Sequence, residues 1–178
     1  QHLEAMLTNL LALARGERGK LPAQRERVAL TPLVQDVCEY FQPKAAARQL
    51  TLHCRGPAAA TADTDPALLR SILTNLVDNA VEYAPCGSAV DVEASADDGG
   101  LALRVVNTVE NLDERDLPHL FERFWRKDAA RSPGSHTGLG LSLARVFAQS
   151  LGCELTASFA GPARLALTLA QLKPRTTY

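Results

Sequence analysis

The sequence predicts an α+β two-layer sandwich, and three observations predict it. Four segments carry helical signatures, short alternating runs read as antiparallel strands, and the two kinds of element do not follow the strand–helix–strand alternation of a parallel fold. With 178 residues, 46% of them apolar and 22% charged, the chain is long enough for one folded domain and an appended element. The net charge is −1 and the basic residues are scattered, so neither nucleic-acid binding nor direct membrane contact is expected. Any anionic ligand has to be bound locally.

In chain order, Leu3, Met6, Leu10 and Leu13 form the stripe of a packed helix, stopped by Gly16, Gly19 and Pro22. This places a boundary near residue 20, with the main domain over 21–172 and a tail over 173–178. Residues 26–30 read as a short strand. Thr31-Pro32 has the form of an N-cap followed by proline at the first helical position, opening a helix to about Arg48. Leu50 to Cys54 alternates as a strand. Asp65-Pro66 opens the strongest helix, which Pro85 and Gly87 stop near Ala84. Val90, Val92 and Ala94 alternate, Asp97-Asp98-Gly99-Gly100 supplies a turn, and Leu101, Leu103 and Val105 alternate again, which predicts a hairpin. A helix over 139–151 and strands over 154–159 and 164–169 complete the reading.

Cys38, Cys54, Cys86 and Cys153 are widely spaced, without a Cys-x-x-Cys pair, and are expected to be reduced thiols of a cytosolic domain. No apolar run reaches the roughly 20 residues that span a bilayer, and the N-terminus lacks the layout of a signal peptide. A membrane anchor, if the parent protein has one, is expected elsewhere.

Three stretches carry candidate chemistry. Between Leu68 and Tyr83 the residues Leu68, Leu69, Ile72, Leu73, Leu76, Val77 and Ala80 cover one helical face. Asn75, Asn79 and Tyr83, each four apart, line its edge. A lone buried asparagine ordinarily ties a helix to neighbouring backbone. Two in register with a tyrosine point to a ligand, since amide oxygens coordinate Mg²⁺ and a ring can flank a base. The second stretch, from Gly134 to Ala144, contains Thr137-Gly138-Leu139-Gly140-Leu141 opening into an apolar helix. Glycines let backbone approach a phosphate, and the free amides of a helix N-terminus attract negative charge; alone, such a pair is more often a turn. In the third, Leu117 to Arg131, aromatics and cations interleave. Phe121, Phe124 and Trp125 ordinarily anchor a core, and Arg123, Arg126 and Lys127 are ordinarily solvated, but beside a phosphate loop these cations become candidates for closing on a triphosphate.

In this order the motifs resemble those of bacterial sensor histidine kinases: Asn75-Leu-Val-Asp-Asn79-Ala-Val-Glu-Tyr83 the N box, Leu120-Phe-Glu-Arg-Phe-Trp-Arg126 the F box, and Gly138-Leu-Gly-Leu141 the second glycine box. The resemblance covers roughly residues 28–170. It implies the Bergerat ATP-binding fold, a mixed sheet with helices on one side, and a lid over 127–137. It makes Asn79 the Mg²⁺ ligand, Asn75 a neighbouring phosphate or metal contact, Tyr83 a wall of the nucleotide pocket, and Arg126 a phosphate contact beside the backbone of Gly138 and Gly140. The N-terminal helix resembles the second helix of the dimerisation and phosphotransfer unit of a homodimeric kinase. The implied partners are that unit and the receiver domain of a response regulator. The implied setting is the cytoplasmic part of a protein anchored in the inner membrane.

The sequence departs from the family pattern in two places, one a single residue and the other a whole motif. Glu82 stands where lysine or arginine is common. The first glycine box, usually Asp-x-Gly-x-Gly, reads Asn107-Thr-Val109-Glu-Asn111. Asn107 can still accept a hydrogen bond from an adenine amino group, although an amide can flip where a carboxylate cannot. Side chains at Val109 and Asn111 fall where the backbone is expected to turn tightly around the base. None of His2, His53, His119 and His136 has the His-Glu/Asp-x-Arg-x-Pro context of the phosphoacceptor, so the chain is expected to bind ATP without phosphorylating itself. The rivals are a degenerate module that binds ATP weakly or not at all and serves as an interaction domain, and another ATPase of the superfamily such as a chaperone, topoisomerase or serine-kinase domain.

Overall fold

The structure, a computed structural model, describes residues 22–97, 100–127 and 137–171. The expected N-terminal helix, the tip of the hairpin turn, residues 128–136 of the expected lid and the tail lie outside the described residues. Three helices, α1 (Leu30–Ala47), α2 (Pro66–Tyr83) and α3 (Gly140–Ser150), pack on a sheet of five strands. These are β2 (Thr51–Arg55), β4 (Ala89–Asp97), β5 (Gly100–Thr108), β7 (Arg164–Gln171) and β6 (Cys153–Phe159), in that spatial order. The β2–β4 pair is parallel and the other pairs are antiparallel, so the sheet is mixed, as expected. A separate antiparallel pair joins β1 (Glu26–Ala29) to β3 (Thr61–Thr64).

Alternation along each strand decides which face is covered. Val90, Val92, Leu103, Val105, Leu165, Leu167 and Leu169 point to the helices and are buried. Leu69, Ile72, Leu73, Leu76 and Val77 of α2 meet them. On the open face, Asp91 of β4 accepts from His53 Nδ1 at 2.9 Å and from Arg164.

The start of α1 differs from the expectation. Ala29 occupies the cap position without a side-chain bond, and Thr31 lies inside the helix, where its hydroxyl donates to the Pro57 carbonyl at 2.8 Å. β3 has no counterpart in the sequence reading: its Thr-Ala-Asp-Thr lacks the apolar alternation that announces a strand, and pairing with β1 creates it. The cysteine expectation is overturned for one pair. Because α1 crosses the inner side of β2, Cys38 and Cys54 come to a Cα separation of 6.7 Å and are joined in a disulfide, while Cys86 and Cys153 are free.

Asp65 caps α2, with Oδ1 accepting from the Ala67 and Leu68 amides at 2.9 and 3.0 Å and Oδ2 from the Gln24 amide at 2.7 Å. Burial would raise this carboxyl, but the three amide donors outweigh it and hold it below the ordinary value of 3.8. Its contribution to stability is therefore present above that value and is lost as pH falls through the lowered folded one. Asp65→Ala should cost about 1 to 2 kcal/mol in chemical denaturation at neutral pH. Asp65→Asn should flatten the acid limb of the stability profile, and an unchanged limb would remove Asp65 from this role.

Candidate functional site

The site is built where α2, the start of α3 and the chain after β5 converge. Asn75 and Asn79 are half-buried on one edge of α2, and Tyr83 follows with 41% of its surface exposed. Asn75 Nδ2 donates to the Ser71 carbonyl at 2.8 Å, which turns Oδ1 outward from its own helix. A Cβ built on Gly140 would lie 3.0 Å from that oxygen, so Asn75 and the α3 N-terminus are in direct apposition.

The glycine segment reads as backbone chemistry. Leu139 and Leu141 are buried in the core, so only their main-chain groups can face a ligand; Thr137 is half-buried. The N-cap residue of α3, Leu139, gives no side-chain cap, and the first-turn amides of a helix have no intrahelical acceptors, which makes them candidates for an anion. Gly138 has φ +70, and a Cβ there would stand 2.8 Å from the Phe124 backbone. The Phe124 amide donates to the Gly138 carbonyl at 2.9 Å. Phe124 itself has φ 63 and is 54% exposed, so it is a turn residue rather than a core anchor. Phe121 packs against the core and lies beneath Arg145, whose guanidinium is 5.5 Å from the ring centroid. Trp125 stacks on His119 at 6.3 Å.

The three cations differ in setting. Arg123 is exposed and Arg126 half-buried, and both already engage in contacts. Lys127 is held by Asp116, with Asp113 3.6 Å away. The hydrogen bond to Asp116 raises the Lys127 pKa. Side-chain and backbone bonds from Arg115 bring Asp113 down to about 2. The structure thus gives Lys127 an acidic anchorage that the sequence reading did not foresee.

Asn107 sits inside the sheet, paired with Val90 and Leu165 on its two sides, and is 1% exposed. Its Nδ2 donates to the Thr108 carbonyl at 2.8 Å, and its buried Oδ1 has no hydrogen-bond partner among the described residues. Flipping the amide would set oxygen against oxygen at Thr108, so the side chain is fixed as an acceptor. The altered glycine positions also find a solution. Val109 is buried and its amide donates to the Ala163 carbonyl at 2.8 Å. Asn111 adopts φ 60, a left-handed conformation that asparagine tolerates better than other non-glycine residues.

Glu82, the other departure, faces α1. Lys44 Nζ lies 3.1 Å from Glu82 and 2.7 Å from Asp78. Burial disfavours the Lys44 charge, but hydrogen bonds to these two acids outweigh it and raise the pKa. Arg48 donates to the carbonyls of Val81, Glu82 and Ala84. The sequence reading missed both residues, though a signal existed: Pro85 has no amide with which to satisfy the Val81 carbonyl. Among the described residues no three or more His, Cys, Asp or Glu gather as a metal cluster, and no helix is long and apolar enough to cross a membrane.

The chain is similar to known sensor proteins and histidine kinases. The probable sensor protein PcoS of Escherichia coli is 30% identical over 162 residues, covering 90% of this chain and 34% of PcoS. The phosphate regulon sensor protein PhoR of Pseudomonas aeruginosa is 33% identical over 144 residues, covering 80% of this chain and 32% of PhoR. The chain therefore spans about a third of the length of these relatives. Among solved structures, full-length ShkA in complex with AMPPNP superposes with a TM-score of 0.83 at 23% identity, covering 97% of this chain and 37% of ShkA. The Acinetobacter baumannii histidine kinase AdeS gives 0.78 at 19% identity, covering 94% and 76%. At these identities the likeness shows the fold, a mixed sheet packed on helices as in histidine kinase catalytic domains. Residues 64–173, which include α2, the Asn107 strand and the glycine segment, match the family model itself, and the chain belongs to the histidine kinase-, DNA gyrase B- and HSP90-like ATPase family.

Proposed function

We propose that this chain is the ATP-binding catalytic part of a two-component sensor histidine kinase, presenting the γ-phosphate of ATP·Mg²⁺ to a histidine of the phosphotransfer unit, from which a response regulator receives it. The observation that carries the reading is the buried Asn107 Oδ1, which has no partner among the described residues. A buried acceptor without a donor costs about 1 to 3 kcal/mol, and the exocyclic amino group of adenine is a donor that would relieve it. Because Thr108 fixes the amide orientation, Asn107 offers the base what the family's aspartate offers.

The residues present fit the rest of the nucleotide. Tyr83 would flank the base, and the main chain of Thr137 to Leu141 would face the phosphates with Arg123 and Arg126. Asn79, whose carboxamide bonds to none of the described residues, would hold Mg²⁺, with Asn75 beside it. Bound Mg²⁺ supplies charge neutralisation on the phosphates. The protein's own contribution is position: the α2 side chains and the main-chain amides that open α3 would already be in place when the nucleotide arrives. Lys127 would reach a phosphate only on leaving Asp116. The parent is read as a homodimer anchored in the inner membrane with this part in the cytoplasm.

Calorimetric titration with ATP and Mg²⁺ should give saturable binding, weakened roughly 100-fold in Asn79→Ala, as expected for loss of a bond to a charged group. Absence of binding by a folded domain would overturn the reading in favour of a degenerate interaction module. None of the four histidines has a phosphoacceptor context, so radiolabelled ATP should leave the chain unlabelled.

A further inference from the structure

Helix α2 carries Asn79 and Tyr83 in its last two turns, and its C-terminus is made in an unusual way. There is no left-handed glycine cap: Ala84 is extended, with φ −66 and ψ 138, and Pro85 follows. In a continuing helix the Val81 carbonyl would accept from the residue four ahead, but that residue is Pro85 and has no N–H. The donors come from α1. Arg48, at its C-cap, gives hydrogen bonds to the carbonyls of Val81 and Glu82, and one to Ala84 at 3.1 Å. The held carbonyls lie on both sides of Tyr83.

One turn earlier on α1, Lys44 occupies the same edge, four residues before Arg48. It reaches Asp78 at 2.7 Å and Glu82 at 3.1 Å, the residues immediately before Asn79 and Tyr83. Lys44 and Arg48 therefore grip the two turns of α2 that present the amide and the ring.

We infer that Lys44 and Arg48 are positioning residues for the nucleotide site, a clamp by which α1 fixes the rotation and the final turn of α2 so that Asn79 and Tyr83 hold their places. The inference rests on the ATP-binding reading and extends it to two residues outside the three motifs. It also gives Glu82 a role: it binds the clamp instead of a phosphate. Arg48 governs the end of the helix and hence Tyr83. Lys44 governs the preceding turn and hence Asn79 as well.

The test compares ATP·Mg²⁺ with inorganic triphosphate·Mg²⁺, which lacks the base, on the whole chain. Arg48→Ala should weaken ATP binding roughly fivefold, the scale of one misplaced aromatic contact, and leave triphosphate binding unchanged. Tyr83→Ala should do the same, and the double variant should lose no more than Tyr83→Ala alone. Arg48→Lys, which retains an N–H donor, should recover part of the loss. Amide exchange at Ala84, whose N–H bonds to the Ala80 carbonyl at 3.0 Å, should quicken in Arg48→Ala while the first turns of α2 stay protected. Wild-type ATP affinity in Arg48→Ala would overturn the positioning role alone, as would equal losses for ATP and triphosphate. Absence of ATP binding by the wild-type chain would overturn the functional reading and this inference with it.

Discussion

Replacing Gly138 with alanine is expected to cost about 3 kcal/mol of stability and to abolish measurable nucleotide binding in the same variant. Two effects add. The backbone at Gly138 is left-handed, with φ +70, which costs a side-chain-bearing residue about 1 to 2 kcal/mol. The new methyl would also meet the Phe124 Cα and carbonyl carbon at 2.8 Å, and backbone atoms cannot step aside as a flexible side chain can; overpacking of this kind adds about 1 to 3 kcal/mol. Relief requires parting the Phe124 turn from the glycine segment, breaking their 2.9 Å hydrogen bond and displacing the α3 N-terminus. Gly140→Ala is the milder comparison. Its methyl would stand 3.0 Å from the Asn75 side-chain oxygen, which can yield, so binding should suffer more than stability. Urea denaturation beside calorimetry measures both quantities; a Gly138→Ala variant as stable and as tightly binding as wild type would show that the contact with Phe124 is dispensable.

Reduction of the Cys38–Cys54 disulfide is expected to lower stability by a comparable amount. The cross-link closes a segment with a sequence separation of 16, and removing a loop of that size from the unfolded chain is worth about 3 kcal/mol. For a domain of this length the melting temperature should fall by roughly 6 to 12 °C on adding a reductant. Cys38→Ala should melt at the reduced temperature with or without reductant. Thiol titration of the unfolded, unreduced chain supplies an independent count: two reactive groups, Cys86 and Cys153, are expected, and four would mean that the cross-link is not formed.

Elements whose stability is local were legible in the sequence. α2 announced itself through Asp65-Pro66 at its start, a continuous apolar face and Pro85 at its end, and its observed bounds, Pro66–Tyr83, lie within a residue of that reading. The hairpin strands followed from alternation. β3 was missed because nothing in Thr61–Thr64 favours a strand apart from β1 beside it, and the start of α1 was misread because Thr31 found a partner in the distant Pro57 carbonyl.

The candidate site divides along the same line. Residue types and spacing by themselves determined that two amides and a ring share one helical edge, and that a glycine pair opens the last helix, since both follow from a fixed rise and rotation per residue. Only the tertiary structure decided what each group faces. It set Asn75 against Gly140, fixed the Asn107 amide through Thr108, let Asn111 supply a left-handed turn without glycine, drew Lys127 onto Asp113 and Asp116, and joined Cys38 to Cys54. The physical reason is plainest for the contacts that are distant in sequence, Asn75 with Gly140, Lys127 with the two acids and Cys38 with Cys54. A contact between residues far apart in sequence depends on how layers pack, and packing is a property of the whole core that no short segment encodes.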